Sequence, residues 1–235
     1  MIAPRSAWLL GACGMGVGPL AIYLKGEGCD VRWADDAAGG PMMAQLAAAG
    51  VPLQPSLADG WRPEVAAHTS AIKPGHASRA EAESAGCRLL RRGELLAERA
   101  RDRRLIAVCG SHGKTTTCGM VIAALEAAGQ DFGYVLGGLF RDTAVPPARA
   151  SAGSDWLVAE VDESDGTIGG FSPEITVAVN LDWDHPDYYR TEADLERVFA
   201  DLFRRTRSLI LIPKGNARLE RLVAGVTARV LTVGE

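Results

Sequence analysis

Apolar residues along this chain fall into short continuous runs separated by amphipathic stretches, and the change of period divides the chain into strands and helices. Residues 6–10 (Ser-Ala-Trp-Leu-Leu) are an apolar run, followed by a Gly-rich turn and a helical pattern through Ile22 and Leu24 that stops at Gly26 and Gly28. Residues 31–34 supply a second strand, closed by Asp35 and Asp36. The pattern then predicts a helix over 41–49, a short strand at 51–53, a strand within 64–70, a helix over 77–85, a strand at 87–90 and a charged helix over 93–101. Beyond a charge-rich stretch at 99–104 the alternation resumes. Strands are predicted at 105–108, 134–136, 156–161, 175–179 and 209–212, helices at 120–128 and 192–203, and a loop over 143–154. Strands alternating with helices predict parallel sheets. The expected fold class is therefore α/β, with two consecutive parallel-sheet domains: a Rossmann-like domain over 1–103 and an incomplete P-loop-type ATPase domain over 104–235.

Two Gly-rich turns carry candidate chemistry. The second reads Ala107-Val-Cys-Gly110-Ser111-His112-Gly113-Lys114-Thr115-Thr116-Thr117, between a strand and a helix. Such a turn presents backbone N–H groups and a positive helix N-terminus to an anion, and Lys114 adds a full charge. Thr115 stands where a hydroxyl reaches Mg²⁺. A strict P-loop has a further Gly five positions before Gly113, and Val108 occupies that place. The loop therefore predicts nucleotide-phosphate binding of an uncommon kind. The first turn, Gly11-Ala-Cys-Gly14-Met15-Gly16-Val-Gly18, sits in a βαβ unit with Asp35 about twenty residues on, as a dinucleotide fingerprint has, but its glycine spacing is not the standard one. Two strands of the second half also end in acidic residues, Asp162-Glu163-Ser164-Asp165 and Asp184-His185. Ligands of open parallel sheets bind at the carboxyl ends of strands, so Thr115, Glu163 and His185 are expected around one site.

Composition narrows the class of partner. With 25 basic against 29 acidic residues and no basic block, nucleic acid is not an expected partner. No apolar run reaches membrane-spanning length, so no membrane association is expected either. Five cysteines, scattered at 13, 29, 87, 109 and 118, suggest reduced thiols and a cytoplasmic setting.

Three motifs together, Ala-Val-Cys-Gly-Ser-His-Gly-Lys-Thr-Thr-Thr at 107–117, Glu-Val-Asp-Glu-Ser-Asp at 160–165 and Asn-Leu-Asp-Trp-Asp-His-Pro-Asp-Tyr-Tyr at 180–189, resemble the Mur ligases, the ATP-dependent amide-forming enzymes of peptidoglycan synthesis. The first turn with Pro19 and the Ser70-Ala-Ile segment resemble the branch that acts on UDP-N-acetylmuramate. That branch contains the L-alanine-adding and murein-tripeptide ligases. The resemblance implies ATP and Mg²⁺ as cofactors and an acyl-phosphate mechanism. It implies that Lys114, Glu163 and His185 serve catalysis, and that Gly110, Ser111, His112, Gly113, Lys114, Thr115 and Thr116 hold the nucleotide. Thr115, Glu163 and His185 would bind metal, and Gly11, Gly14, Met15, Gly16, Asp35, Ser70 and His112 the UDP-muramyl substrate. It also implies a third, amino-acid-binding domain, which the 235 residues do not supply. Two readings stay open: a ligase completed in cis or by a partner chain, or a non-catalytic module that binds nucleotide or UDP-muramyl ligand.

Overall fold

The computed structural model describes residues 4–37, 39–164, 166–183 and 188–234. The first sheet contains β1 (Ser6–Leu10), β2 (Asp30–Ala34), β3 (Val65–His68) and β4 (Arg88–Arg91), all parallel in the order β2-β1-β3-β4. Its helices are α1 (Val17–Gly26), α2 (Gly40–Ala48) and α3 (Ala77–Ser84), followed by α4 (Arg92–Ala100). The apolar run of β1 is continuous because both faces of the strand are covered. Ala7 and Leu9 join the core on one side, Trp8 and Leu10 the core on the other. The expected strand at 51–53 reduces to a single bridge between Trp33 and Leu53, where Pro52 lacks the N–H a ladder needs.

The second sheet has seven strands in the order β11-β10-β9-β5-β8-β6-β7. They are β5 (Arg104–Cys109), β6 (Gly133–Val135), β7 (Ala148–Arg149), β8 (Trp156–Glu160), β9 (Ile175–Ala178), β10 (Leu209–Pro213) and β11 (Arg229–Val233). All pair in parallel except β6 with β7, which is antiparallel. The segment expected as a plain loop thus contributes a two-residue edge strand, too short to leave a period in the sequence. Helices α5 (Lys114–Ala127), α6 (Glu192–Arg205) and α7 (Ala217–Leu222) complete this half. In α5 the Lys-Thr-Thr segment after Gly113 is already helical, so the helix begins six residues before the apolar pattern that predicted it. Thr191 starts α6 with a reciprocal cap: its hydroxyl accepts from the Asp194 N–H, and the Asp194 carboxylate accepts from the Thr191 N–H.

The two sheets share a continuous core that includes Ala7 and Leu9, Leu95 and Leu96, Ala107 and Phe171. Helix α1 packs on both sheets: the edge of Tyr23 lies 3.2 Å from the point a Cβ on Gly133 would occupy, and Gly26 approaches Ala150 as closely. Helix α4 lies against a 3₁₀ turn, Thr167–Gly170. Beside these contacts sits a withdrawn ionic cluster. Glu27, 5% exposed at its side chain, accepts from Arg99 at 2.9 Å and from Arg103 at 2.9 Å, and Arg99 is 8% exposed. It ties the end of α1 to the end of α4 and to the chain entering β5.

Removing one partner of a buried ion pair strands the remaining charge away from water. Glu27→Gln is therefore expected to lower the unfolding free energy by about 3 kcal/mol, read as a shifted urea midpoint with unchanged slope. A loss below about 0.5 kcal/mol would place the cluster among solvent-screened surface pairs.

Candidate functional site

The loop leaving β5 is sewn to the chain leaving β9. The Asn180 side chain accepts from the His112 N–H at 2.9 Å and donates to the His112 carbonyl at 2.9 Å. Ser111 Oγ donates to the Asp182 carbonyl at 2.7 Å and accepts from the Asp182 N–H at 2.9 Å. Gly110 adopts a φ of 137°, and a Cβ there would meet the Asn180 carbonyl oxygen at 2.9 Å. Only glycine permits that backbone and that approach. Gly113, at φ 76°, then turns the chain into α5. The His112 N–H is consumed by Asn180, so this amide is not among those turned towards an anion.

Lys114 folds back over the loop. Its Nζ donates to the Gly110 carbonyl at 2.8 Å and to both carboxylate oxygens of Glu163 at 3.2 Å, with Asp162 at 3.6 Å. Glu163 is fully buried. Burial pushes its carboxyl above the usual carboxylate range, against the opposing influence of Lys114. Burial also works to raise Asp162, but Lys114, hydrogen bonds from Ser164 and then Arg92 hold it below its ordinary value. Thr115 Oγ1 donates not to Glu163 but to Glu160, at 2.8 Å. Glu160 is the last residue of β8, and its carboxylate lies against Gly137, where a Cβ would fall 2.2 Å from it.

A cleft of about 480 Å³ opens over this cluster, lined by Ser111 to Thr116 in the loop and by Glu160, Asp162 and Ser164 opposite. The structure thus brings Ser111, His112, Gly113, Lys114, Thr115 and Thr116 to one cleft. Gly110 and Glu163 lie beneath it. His185 lies outside the described residues, and among the described residues no group of three or more His, Cys, Asp or Glu gathers as a metal cage. The donors present, a hydroxyl with Glu160 and Asp162 near it, are oxygen only. That set suits Mg²⁺, which takes one or two carboxylates and completes its shell with phosphate and water. Sequence reasoning gave no role to Glu160 or Asp162, although both stand inside the acidic motif it singled out.

A second cleft, about 670 Å³, lies at the carboxyl ends of β1, β2 and β3. Gly11, Gly14, Met15, Gly16 and Asp35 line it, with Thr69, Ala71 and Ile72 on the far side; among the described residues Ser70 does not. Asp35 is occupied in shaping the turn: its carboxylate accepts from the Cys13 N–H at 2.8 Å and the Ala37 N–H at 3.0 Å. The N-terminus of α1, begun at Gly16, faces the cleft, the usual placement for an anion. The described cysteines are unpaired, and burial pushes the Cys109 thiol, beneath the Gly-rich loop, well above its ordinary value. It is a packing residue. Among the described residues, no helix is long and apolar enough to cross a membrane.

Lys114→Ala is expected to weaken ADP binding at least tenfold, about 1.4 kcal/mol, by calorimetric titration. Its effect on stability carries a pH signature. Without Lys114 the raised carboxyl of Glu163 rises further, so the folded state gains protons more readily than the unfolded one; that contribution is complete in acid and fades as pH climbs through the folded pKa. Asp162 loses its largest lowering influence, which removes stability present above the unfolded carboxylate pKa. Both act alike, so the deficit relative to wild type should grow from pH 4 to pH 8 in urea melts. A constant deficit across that range would contradict the ion pair.

Residues 108–235 match the Mur ligase middle domain. The UDP-N-acetylmuramate–L-alanine ligase of Frankia casuarinae is 36% identical over 208 residues, covering 84% of this chain and 40% of that protein. The same-named ligase of Kineococcus radiotolerans is 34% identical over 236 residues, covering 96% and 50%. Among solved structures, the UDP-N-acetylmuramate:L-alanyl-γ-D-glutamyl-meso-diaminopimelate ligase of Neisseria meningitides superposes with a TM-score of 0.84 at 25% identity over 99% of this chain and 79% of that one. The UDP-N-acetylmuramate–alanine ligase of Thermotoga maritima shares the fold, with a TM-score of 0.81 at 23% identity over 98% and 53%. The chain spans between 40% and 50% of the length of these two curated relatives. With the Mur ligase middle domain matched over more than half its length, the chain belongs to the Mur ligase family.

Proposed function

We propose that this chain carries the nucleotide and UDP-sugar sites of an ATP-dependent ligase that activates the carboxylate of UDP-N-acetylmuramate for amide formation in peptidoglycan synthesis or recycling. One observation carries the reading: a Gly-rich loop whose lysine is held by the buried Glu163 carboxylate lies across the domain boundary we take at 103–104 from a second cleft that a helix N-terminus faces. We take 1–103 as the UDP-muramyl-binding domain and 104–235 as the ATP-binding domain. The curated relatives are named for the same substrate, and their greater length leaves room for the amine-binding part, placed in the same polypeptide or in a partner chain. A reducing, cytoplasmic setting suits five unpaired thiols.

In this reading Lys114 exchanges its carboxylates for nucleotide phosphate, and the N–H groups at the start of α5 face the same charge. Thr115 and Glu160, with Asp162 near, hold Mg²⁺, and Glu163 orients Lys114 from below; His185 is retained as a metal-site candidate. Bound Mg²⁺ would neutralise charge on the transferring phosphoryl group. At the first cleft, Gly11, Gly14, Met15 and Gly16 receive the diphosphate, Asp35 fixes the turn, and Ser70 and His112 stand nearer the muramyl end. The γ-phosphoryl group passes to a carboxylate oxygen and ADP leaves. An amine then attacks the acyl carbon, the carbon–oxygen bond breaks, and phosphate departs with that oxygen. The protein's contribution is positioning and charge neutralisation.

UDP-N-acetylmuramate labelled with ¹⁸O in its carboxylate tests the route. With ATP, Mg²⁺ and L-alanine, using the chain alone and the longest polypeptide encoded with it, released phosphate should carry one ¹⁸O per amide formed. Unlabelled phosphate would mean hydrolysis by water and would overturn the proposal.

A further inference from the structure

Asp162 stands between two cations, Lys114 in the nucleotide cleft and Arg92 beside Gly16 at the edge of the first cleft. One carboxylate oxygen lies 3.6 Å from Lys114 Nζ in the nucleotide cleft; the other lies 3.5 Å from Arg92 Nη2. Arg92 opens α4, and its guanidinium lies 3.3 Å from the point a Cβ on Gly16 would occupy, where Gly16 begins α1 and lines the first cleft. A crevice of about 110 Å³ lined by Gly16, Arg92, Leu136, Gly137, Glu160 and Asp162 runs between the two clefts. Side-chain exposures of 15% for Arg92, 26% for Asp162 and 12% for Lys114 keep this row of charges mostly out of water, where screening is weak.

We propose that Arg92 and Asp162 couple the two clefts, so that an anion in one opposes an anion in the other until a divalent cation satisfies Asp162. The proposal rests on the first cleft receiving a diphosphate and the second a nucleotide. A nucleotide phosphate draws Lys114 away, and Asp162 then keeps Arg92 as its cation beside the hydrogen bonds from Ser164. A diphosphate at Gly16 draws Arg92 the other way, and Asp162 then depends on Lys114. With both anions present and no metal, a mostly buried carboxylate is left without either cation, which is costly. A divalent cation beside Thr115, Glu160 and Asp162 removes that cost and frees both basic side chains for phosphate. Arg92 is therefore a positioning residue acting through Asp162, and the coupling must be reciprocal.

Calorimetric titration of ADP, with and without saturating UDP-N-acetylmuramate, in EDTA and in Mg²⁺, reads the linkage. In EDTA the sugar nucleotide should weaken ADP about five- to tenfold, within the usual range of coupling between sites, and ADP should weaken the sugar nucleotide by the same factor. In Mg²⁺ the antagonism should fall below about twofold. Asp162→Asn, which keeps the shape and removes the shared charge, should abolish the metal-dependent difference. Arg92→Gln, breaking the bridge from the other side, should do the same. Two ligands that each bind alone but bind independently in EDTA would overturn the coupling while leaving the site assignment standing. Full antagonism surviving in both variants would overturn it equally, because simple repulsion between the anions would then suffice. Failure of either ligand to bind alone would overturn the site assignment and the coupling with it.

Discussion

The burial of Glu163 against Lys114 is the interaction on which the proposed nucleotide site depends. A fully buried ionised carboxylate is costly unless a cation lies beside it, and the loop after β5 curls until Lys114 reaches Glu163. That curl requires the left-handed turn at Gly113 and the close approach of Gly110 to Asn180. The Asn180 and Ser111 hydrogen bonds then hold the loop against the end of β9. Three adjacent parallel strands thus have their carboxyl ends fixed relative to one another before any ligand arrives, which is the preorganisation that phosphoryl transfer rewards.

The first cleft is tied to this site by packing of a different kind. Helix α1 belongs to the first sheet, yet it rests on β6 and β7 of the second through Tyr23 and Gly26. The Glu27 cluster closes the same seam with charge. An interface with both an apolar core and a withdrawn ion pair resists the sliding expected of loosely joined domains. The distance between the two clefts is therefore a property of the fold, and the bridge through Arg92 and Asp162 can work only because that distance is held.

Much of this architecture was legible in the sequence, because parallel strands buried on both faces leave unbroken apolar runs. β1, β5, β8 and β9 were found within a residue or two for that reason. The Gly-rich turn between β5 and α5 was legible because Gly-Lys-Thr-Thr, flanked by an apolar run and a helical pattern, has little packing rationale of its own. Which glutamate the Thr115 hydroxyl contacts was not. Strand alternation carries the Glu160 side chain towards Thr115 at the end of β8, while Glu163, three residues on, turns inward beneath Lys114. A linear motif with two glutamates gives no way to rank them without the register of β8 against β5. Arg92 was less legible still, since its partners lie 70 residues ahead in Asp162 and 76 residues back in Gly16, and it reads as one more surface arginine of a charged helix. β7 and the bridge at Leu53 are shorter than any period can reveal.

The charge balance of the nucleotide cleft has a consequence for how it fills. Lys114 is already matched to Glu163 and Asp162, and Glu160 adds a further carboxylate, which accepts from the Thr115 hydroxyl. An incoming phosphate therefore meets a site where the lysine's charge is already compensated and acidic groups remain. Binding a bare polyphosphate requires pulling Lys114 from its partners and leaving carboxylates near the new anion, so most of the attraction of the lysine is offset. A divalent cation arriving with the phosphate changes the sum, because it is attracted by the same carboxylates that repel the nucleotide. On the proposed function, the acidic residues around the loop would favour the metal-bound nucleotide over the bare one, and the lysine that marks the loop in the sequence is only half of its electrostatic logic.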